Sequence, residues 1–86
     1  MGRFEDQRLL EIHLYGRTAE VPAEDCAIIR RKVALLLATP GWTGIGLIGD
    51  VFSLKGGRLA MMMTADWGVS FVWWEGDGPF LMQLEP

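Results

Sequence analysis

Residues 22–38 read PAEDCAIIRRKVALLLA, and this stretch has the features of one long amphipathic helix. Pro22 suits a first helical position, where a missing N–H costs nothing, while Glu24 and Asp25 favour the positive end of the helix dipole. Thr39-Pro40-Gly41 ends the helix because proline disfavours a helical residue before it. The apolar positions recur at the spacing of one helical face: Cys26, Ile29, Val33, Leu36 and Leu37.

The chain beyond this helix has the pattern of an antiparallel sheet. A glycine-rich connection at residues 40–49 leads into segments rich in Val, Phe, Trp and Met, which are separated by glycine-containing turns. Helices followed by strands indicate an α+β domain, in which the long helix covers one face of the sheet. The expected strands are 50–55, 59–64, 67–74 and 80–84, with turns at 56–57, 65–66 and 76–79.

Residues 7–15 allow two interpretations. Leu10, Ile12 and Leu14 alternate with polar residues, as in a half-buried strand. The same segment also has apolar residues at helical spacing, so the pattern alone does not decide between helix and strand. Gly16 ends the element in either case.

Length and charge limit the classes of function. The 86 residues carry 8 Lys+Arg and 11 Asp+Glu, a net charge of −3, with one His and one Cys. This length predicts a single domain, residues 1–86, and is too short for a dinucleotide-binding Rossmann domain or a barrel. The acidic balance disfavours a simple nucleic-acid binder. Residues 33–86 hold two basic and five acidic groups, so the half that resembles sheet is the acidic half.

The same composition bears on location. No apolar run approaches the length of a membrane span, and the N-terminus lacks the positive and apolar regions of a signal peptide. The single Cys26 cannot form an internal disulfide. We therefore expect a cytoplasmic protein with no membrane association.

Two short patterns favour structural over chemical interpretations. Residues 44–49 spell G-x-G-x-x-G, but a helix is expected before them and a strand after them, the reverse of the dinucleotide fingerprint. His13 and Cys26 are too few to form a metal site, and Cys26 lies on the apolar face of the helix, where a thiol behaves as a small hydrophobe. We expect no cofactor and no metal.

Aromatic residues and two cations are the remaining candidates. Trp67, Phe71 and Trp73 share one strand parity and are expected in the core, whereas Trp74 faces the other side, where an exposed ring would indicate a partner surface. Two cations at the turn of residues 55–58 could bind a phosphate, although a solvated turn is the alternative interpretation. These cations, the only basic residues after residue 32, are Lys55 and Arg58.

Several motifs together point to a family. Leu54-Lys55-Gly56-Gly57-Arg58 is similar to a Leu-Lys-Gly-Asp-Arg motif, residues 67–71 to Trp-Arg-Ile-x-Phe, and residues 75–78 to Glu-Asp-Gly-Asp. In order and spacing, these motifs resemble those of the HigB-type toxins, the plasmid maintenance killer proteins of the RelE/ParE superfamily. The resemblance covers nearly the whole chain. Its other pieces are Arg3-Phe4-Glu5-Asp6, Leu9-Leu10, Gly16-Arg17, 21–25, Arg31-Lys32 and 35–38.

The resemblance implies a fold and a function. The fold has a short N-terminal strand, here residues 2–5, and two helices, the first at 7–15, packed on a three- to four-stranded antiparallel sheet. The implied function is that of a type II toxin, a ribosome-dependent mRNA endoribonuclease held inactive by a cognate antitoxin. The implied partners are the antitoxin, the ribosome and mRNA, with no small-molecule cofactor. The matching catalytic residues are Lys55 and Arg58.

Several catalytic positions of the family carry other residues here. A family His falls on Phe52, one Arg falls near Thr64, and a second Arg falls on Gly68. A terminal Asp-Tyr-His falls on Glu85 and Pro86 and then runs past the end of the sequence. Because one preorganised electrostatic group is worth about 10²–10³ in rate, the resemblance implies weakened or lost cleavage. The alternatives are a non-catalytic RelE-fold module that binds an antitoxin or another protein, and a ParE-like protein acting on DNA gyrase.

Overall fold

Helices precede a single sheet in the computed structural model, which describes residues 3–39 and 41–86, apart from the side chains of residues 42 and 43. Helices α1 (Gln7–Tyr15), α2 (Ala23–Ala38) and the one-turn α3 (Trp42–Ile45) come first. Four antiparallel strands then pair in the order β1-β2-β3-β4, which confirms the α+β class. The strands are β1 (Val51–Ser53), β2 (Leu59–Met62), β3 (Gly68–Trp74) and β4 (Gly78–Glu85).

Helix α2 matches the sequence prediction closely. It begins directly after Pro22 and ends before Thr39, and its expected apolar face is turned into the core. Cys26, Ile29 and Val33 on that face are fully buried. Among the described residues, none of the helices combines the length and the apolar character needed to cross a membrane.

Helix α1 settles the ambiguity at residues 7–15. The Asp6 carboxylate accepts a hydrogen bond from the Arg8 N–H at 2.9 Å and so caps the first turn. At the other end, Gly16 has a φ of 79°, and its N–H donates to the Ile12 carbonyl at 2.8 Å. Leu9 and Ile12 are buried, whereas Leu14 is exposed. Local capping at both ends therefore favours the helix over the strand.

The N-terminal strand is shorter than the resemblance implies. Its pairing is a single parallel bridge between Phe4 and Met82, with the Glu5 N–H donating to the Met82 carbonyl at 3.0 Å and the Met82 N–H to the Arg3 carbonyl at 2.8 Å. Asp6 already caps α1, so little chain is left to pair. Residue 2 of the expected strand 2–5 lies outside the described residues.

One hydrophobic core joins the helices to the sheet. Helices α1 and α2 pack on each other, and both contact β4. Side chains of alternate parity on the strands point toward the helices and complete this core. Its fully buried larger members include Leu9, Ile12, Ile29, Leu36, Met61, Phe71 and Met82.

The connections differ in detail from those expected. A two-residue turn was expected at 56–57, but residues 54–58 form a longer loop, closed by the Leu54 N–H donating to the Arg58 carbonyl at 2.7 Å. Gly56 and Gly57 have φ values of 74° and 76°, which only glycine adopts without strain. Strand β2 ends before Thr64 because the N–H groups of residues 63 and 64 both donate to the Trp67 carbonyl. The glycine-rich connection contains the short helix α3.

Asp6 joins the start of α1 to the last strand. Its carboxylate accepts from the Arg8 guanidinium at 2.9 Å and from the Leu84 N–H at 3.1 Å. Burial opposes ionisation and acts to raise the pKa of Asp6, but these hydrogen bonds and that from the Arg8 N–H outweigh it, and the pKa lies below its ordinary value. A lowered pKa means that the ionised carboxylate stabilises the fold above its unfolded-state pKa, and that this contribution is lost as pH falls through the folded-state pKa.

We expect Asp6→Ala to lower the free energy of unfolding by about 1–3 kcal/mol at neutral pH, because it removes a helix cap and leaves the Leu84 N–H without its acceptor. The difference from the native protein should begin to narrow below the pKa of an unfolded-state Asp, about 3.9, and should narrow further as pH falls through the lower folded-state pKa. Urea denaturation at several pH values measures both effects. Asp66→Asn, in the exposed β2–β3 turn, is the control. A difference that does not change with pH would contradict the role of the ionised carboxylate.

Candidate functional site on the outer face of the sheet

The sheet has one face turned to the helices and one turned away. Met61, Val69 and Phe71 point to the helices and are fully buried. The residues of opposite parity form what we call the outer face. They are Phe52, Arg58, Ala60, Met62, Ser70, Val72, Trp74, Phe80, Gln83 and Glu85. The outer face combines exposed apolar side chains with a polar centre.

Arg58 lies at this polar centre. Its Nη2 donates to the Ser70 hydroxyl oxygen at 3.1 Å and to the Leu81 carbonyl at 2.7 Å, while its Nη1 lies 3.6 Å from a Glu5 carboxylate oxygen. The fully buried Ser70 in turn donates to Glu85 Oε2 at 2.7 Å. One guanidinium is thus linked to two carboxylates, to Glu5 directly and to Glu85 through a hydroxyl group.

Gln83 completes this arrangement, which we call the Arg58 cluster: Glu5, Arg58, Ser70, Gln83 and Glu85. Gln83 Nε2 donates to the same Glu5 oxygen at 2.6 Å. Charge-assisted hydrogen bonds of this kind are among the stronger ones in proteins. The cluster therefore connects the N-terminal segment, the β1–β2 loop and the two longest strands.

A β-bulge shapes the cluster. Ser70 pairs with Gln83 and Val72 with Phe80, so two residues of β4, 81 and 82, oppose one residue of β3. Leu81 has a φ of 53°, a left-handed conformation that is uncommon outside glycine. Its carbonyl accepts from the Arg58 guanidinium at 2.7 Å. The bulge thus gives the guanidinium an acceptor at the centre of the sheet.

Lys55 and Arg58, the two predicted catalytic residues, have different environments. Both belong to the β1–β2 loop, yet only Arg58 enters the cluster, and its side chain is 22% exposed. Lys55 is exposed in the same loop, residues 54–58, and is not a member of the cluster. The structure therefore brings the two residues to one loop without pairing them on one open site.

The other positions matched to the toxin family carry little acid–base chemistry. Phe52 is half-exposed on β1, and the Thr64 hydroxyl accepts from the N–H groups of Asp66 and Trp67 within a turn. Gly68 is buried, and a Cβ atom there would lie 3.3 Å from the Met61 carbonyl oxygen. Glu85 supplies a carboxylate, which the Ser70 hydroxyl engages.

Sequence reasoning missed Ser70, Glu5 and Gln83. Ser70 carried a usable signal, since it is a polar residue of outward parity within the apolar run of β3. Glu5 and Gln83 carried none, because a parallel bridge between the two ends of the chain brings them together.

His13 and Cys26 are engaged separately in the helical layer. The His13 ring stacks on Phe4 at 5.1 Å between centroids, and Cys26 is buried with its thiol donating to the Val21 carbonyl at 3.5 Å. In the part of the chain that the structure describes, no group of three or more His, Cys, Asp or Glu residues is arranged to hold a metal. A cleft near the end of α1 contains none of the predicted site residues. It is lined by Glu11, Tyr15, Arg17, Thr18 and Ala19.

The aromatic residues follow the predicted parity. Phe71 is in the core and Trp67 and Trp73 pack against it, whereas Trp74 is 51% exposed on the outer face. The centroids of the Trp74 and Phe80 rings are 4.6 Å apart. The guanidinium carbon of Arg3 lies 4.5 Å from the centroid of the Phe80 ring. This edge of the outer face is a partly exposed aromatic surface beside a cation.

We expect Arg58→Met to lower the free energy of unfolding by about 1–3 kcal/mol, because the Ser70 hydroxyl and the Leu81 carbonyl lose a donor and Glu5 loses its cationic neighbour. Lys55→Met, three residues away in the same loop, should change it by no more than about 0.5 kcal/mol. Chemical denaturation of both variants measures the difference. Equal effects would contradict the assignment of a structural role to Arg58 alone.

Comparisons with known proteins identify no family for this chain. Comparison with models of protein families finds none that matches, and comparison with curated proteins finds no significant match. Its function is therefore argued from the geometry of the outer face, together with the motif resemblance.

Proposed function

We propose that this protein is a HigB-like member of the RelE/ParE toxin superfamily, the toxin component of a type II toxin–antitoxin module. In this proposal its principal activity is binding of a cognate antitoxin, and its ribosome-dependent mRNA cleavage is weakened or lost. Support comes from the order of the motifs and from two helices that precede a four-stranded antiparallel sheet, a layout compatible with that fold.

The environment of Arg58 carries the proposal of weakened cleavage. To stabilise a phosphoryl group in a transition state, a guanidinium needs donors free to point at the substrate. Here Nη2 already has two acceptors and Nη1 faces Glu5. Displacing those partners would leave carboxylates beside an incoming phosphate. The site therefore favours a structural role for Arg58 over phosphate binding.

Proton transfer points in the same direction. Cleavage by an attacking 2′-hydroxyl needs a base for that hydroxyl and an acid for the leaving oxygen. On the outer face, Glu85 has a carboxylate, which is hydrogen-bonded to Ser70. Phe52 and Gly68, which match catalytic positions of the toxin family, have no titratable group. The exposed Lys55 is the remaining cation on this loop, so any residual cleavage should depend on it.

The exposed apolar side chains of the outer face favour a protein-binding role over mRNA cleavage. Phe52, Met62 and Trp74 each expose about half of their surface on one face. Exposed apolar groups gathered on one face of a small domain are a mark of protein interaction sites. A non-catalytic RelE-fold module that binds a protein other than an antitoxin is the second candidate, and it would use the same surface.

Two measurements test the proposal. Induced expression should cause weak or no growth arrest, and purified protein should cleave ribosome-bound mRNA slowly or not at all. The protein encoded beside its gene should raise the Tm by about 10 °C or more when present at a hundredfold excess over Kd.

The Lys55→Ala variant is the matched control for activity, because its side chain lies outside the Arg58 cluster. Any residual arrest or cleavage should disappear in this variant while the Tm shift remains. Rapid ribosome-dependent cleavage by the native protein would contradict weakened catalysis. Failure of the neighbouring gene product to bind would contradict the toxin–antitoxin assignment.

A further inference from the structure

We propose that the outer face is a docking surface for a basic, amphipathic helix of a partner protein. This inference deepens the proposed function, because it assigns the chemistry of the partner. It rests on the proposed function for one premise, that a protein partner exists. Three observations carry it: the exposed apolar side chains, the shape of the sheet and the distribution of charge.

The apolar side chains surround the Arg58 cluster on three strands. Phe52 lies on β1, Met62 at the end of β2 and Trp74 at the end of β3. They are 51%, 45% and 51% exposed, while their neighbours of opposite parity, such as Met61 and Phe71, are fully buried. Covering these three side chains would remove apolar surface from water, worth roughly 25 cal/mol per Å².

The dimensions of the sheet suit a helix. Neighbouring strands lie about 4.8 Å apart, so four strands measure about 15 Å across. Met62 lies beside Gly68 at one end of β3 and Trp74 lies at the other end, about 20 Å away along the strand. A helix of about 14 residues is about 21 Å long and would cross the sheet diagonally between them. Apolar residues at positions i, i+3, i+4 and i+7 of such a helix would face the sheet together. The helices α1 and α2 already pack on the inner face.

The charge of the outer face favours a basic partner. The positive charge of Arg58 is opposed by Glu5 directly and linked to Glu85 through Ser70. Outside this cluster, the cations Lys55 and Arg3 are outnumbered by four exposed acids at the ends of the strands. These acids are Asp50, Asp66, Glu75 and Asp77. Lys and Arg residues flanking the apolar stripe of a helix would complement this rim.

The same charge argues against two other occupants. An RNA backbone would bring phosphates toward a face whose central cation is already matched by carboxylates. A second copy of the chain would bring another acidic rim against the first, since the net charge is −3. Both occupants give distinct outcomes in the test below.

The test uses the full chain labelled with ¹⁵N and three synthetic peptides of about 18 residues. One peptide has a leucine stripe flanked by lysines, the second replaces the lysines by glutamates, and the third scrambles the first. Amide shifts should map to residues 52, 60, 72 and 74 on adding the lysine peptide. Its Kd should be lower than those of the other two by about tenfold or more, and should rise with salt.

Variants locate the surface. Phe52→Ser and Trp74→Ser should each weaken binding of the lysine peptide about tenfold, as expected for loss of an apolar anchor. Leu35→Ser is the matched control. Leu35 is 50% exposed on α2, so this substitution removes a similar apolar group from the helical side of the protein. The amide spectrum of each variant shows whether the fold is kept, and Phe52→Ser tests the face even if Trp74→Ser disturbs the Phe80 contact.

The proposal would be overturned if the lysine peptide does not bind, if its shifts are confined to α1 and α2, or if the lysine and glutamate peptides bind equally. Outer-face shifts caused by single-stranded RNA of about 12 nucleotides would overturn it as well. Concentration-dependent shifts of the outer face without peptide would indicate self-association and would also overturn it. If the peptide binds but the neighbouring gene product does not, the docking surface stands and the toxin–antitoxin assignment fails. If the neighbouring product binds through α1 and α2, the reverse holds.

Discussion

The Asp6 carboxylate is the contact on which the arrangement of helices and sheet depends. It caps α1 through the Arg8 N–H, holds the Arg8 guanidinium and accepts the Leu84 N–H of β4. Arg8 also donates to the Leu84 carbonyl at 3.3 Å. A single residue thus fixes where the first helix begins and which strand it lies beside. The adjacent Phe4–Met82 bridge brings Glu5 to the edge of the outer face.

That position of Glu5 changes the chemistry of the outer face. Without the N-terminal bridge, Arg58 would stand as a cation beside Lys55, as a phosphate-binding loop would require. With it, Glu5 lies 3.6 Å from the guanidinium, and Ser70 links the same group to Glu85. The bridge next to Asp6 therefore also brings in the carboxylate that lies beside Arg58.

The two faces of the sheet differ in how far their side chains are buried. Inward residues of β2 and β3 are fully buried, and their apolar character follows from the helices packed on them. Outward residues have no such layer packed on them, and the proposed docking of a partner depends on the half-exposed Phe52, Met62 and Trp74. In that proposal, the exposed acids at the ends of the strands favour a basic protein segment.

The sequence by itself determined the α+β class, helix α2, the order of the strands and the parity of the aromatic residues. Each of these depends on periodicity or turn residues within a short window. The sequence did not give every strand boundary, since β4 begins at Gly78, inside the expected turn at 76–79. It could not decide whether residues 7–15 form a helix or a strand, because Leu10, Ile12 and Leu14 fit both periods. The capping contacts of Asp6 and Gly16 accompany the helix in the structure.

The site was predicted only in part. Lys55 and Arg58 stood out as the only cations of the second half, but nothing near Arg58 in the sequence indicates that Glu5 lies opposite it. The parallel bridge between Phe4 and Met82 brings Glu5 to the sheet, and the bulge at Leu81 provides a carbonyl that accepts from Arg58. Only the tertiary structure decided that Arg58 lies beside Glu5 and is linked to Glu85 through Ser70. The balance of charge on a surface depends on which distant side chains the fold brings together.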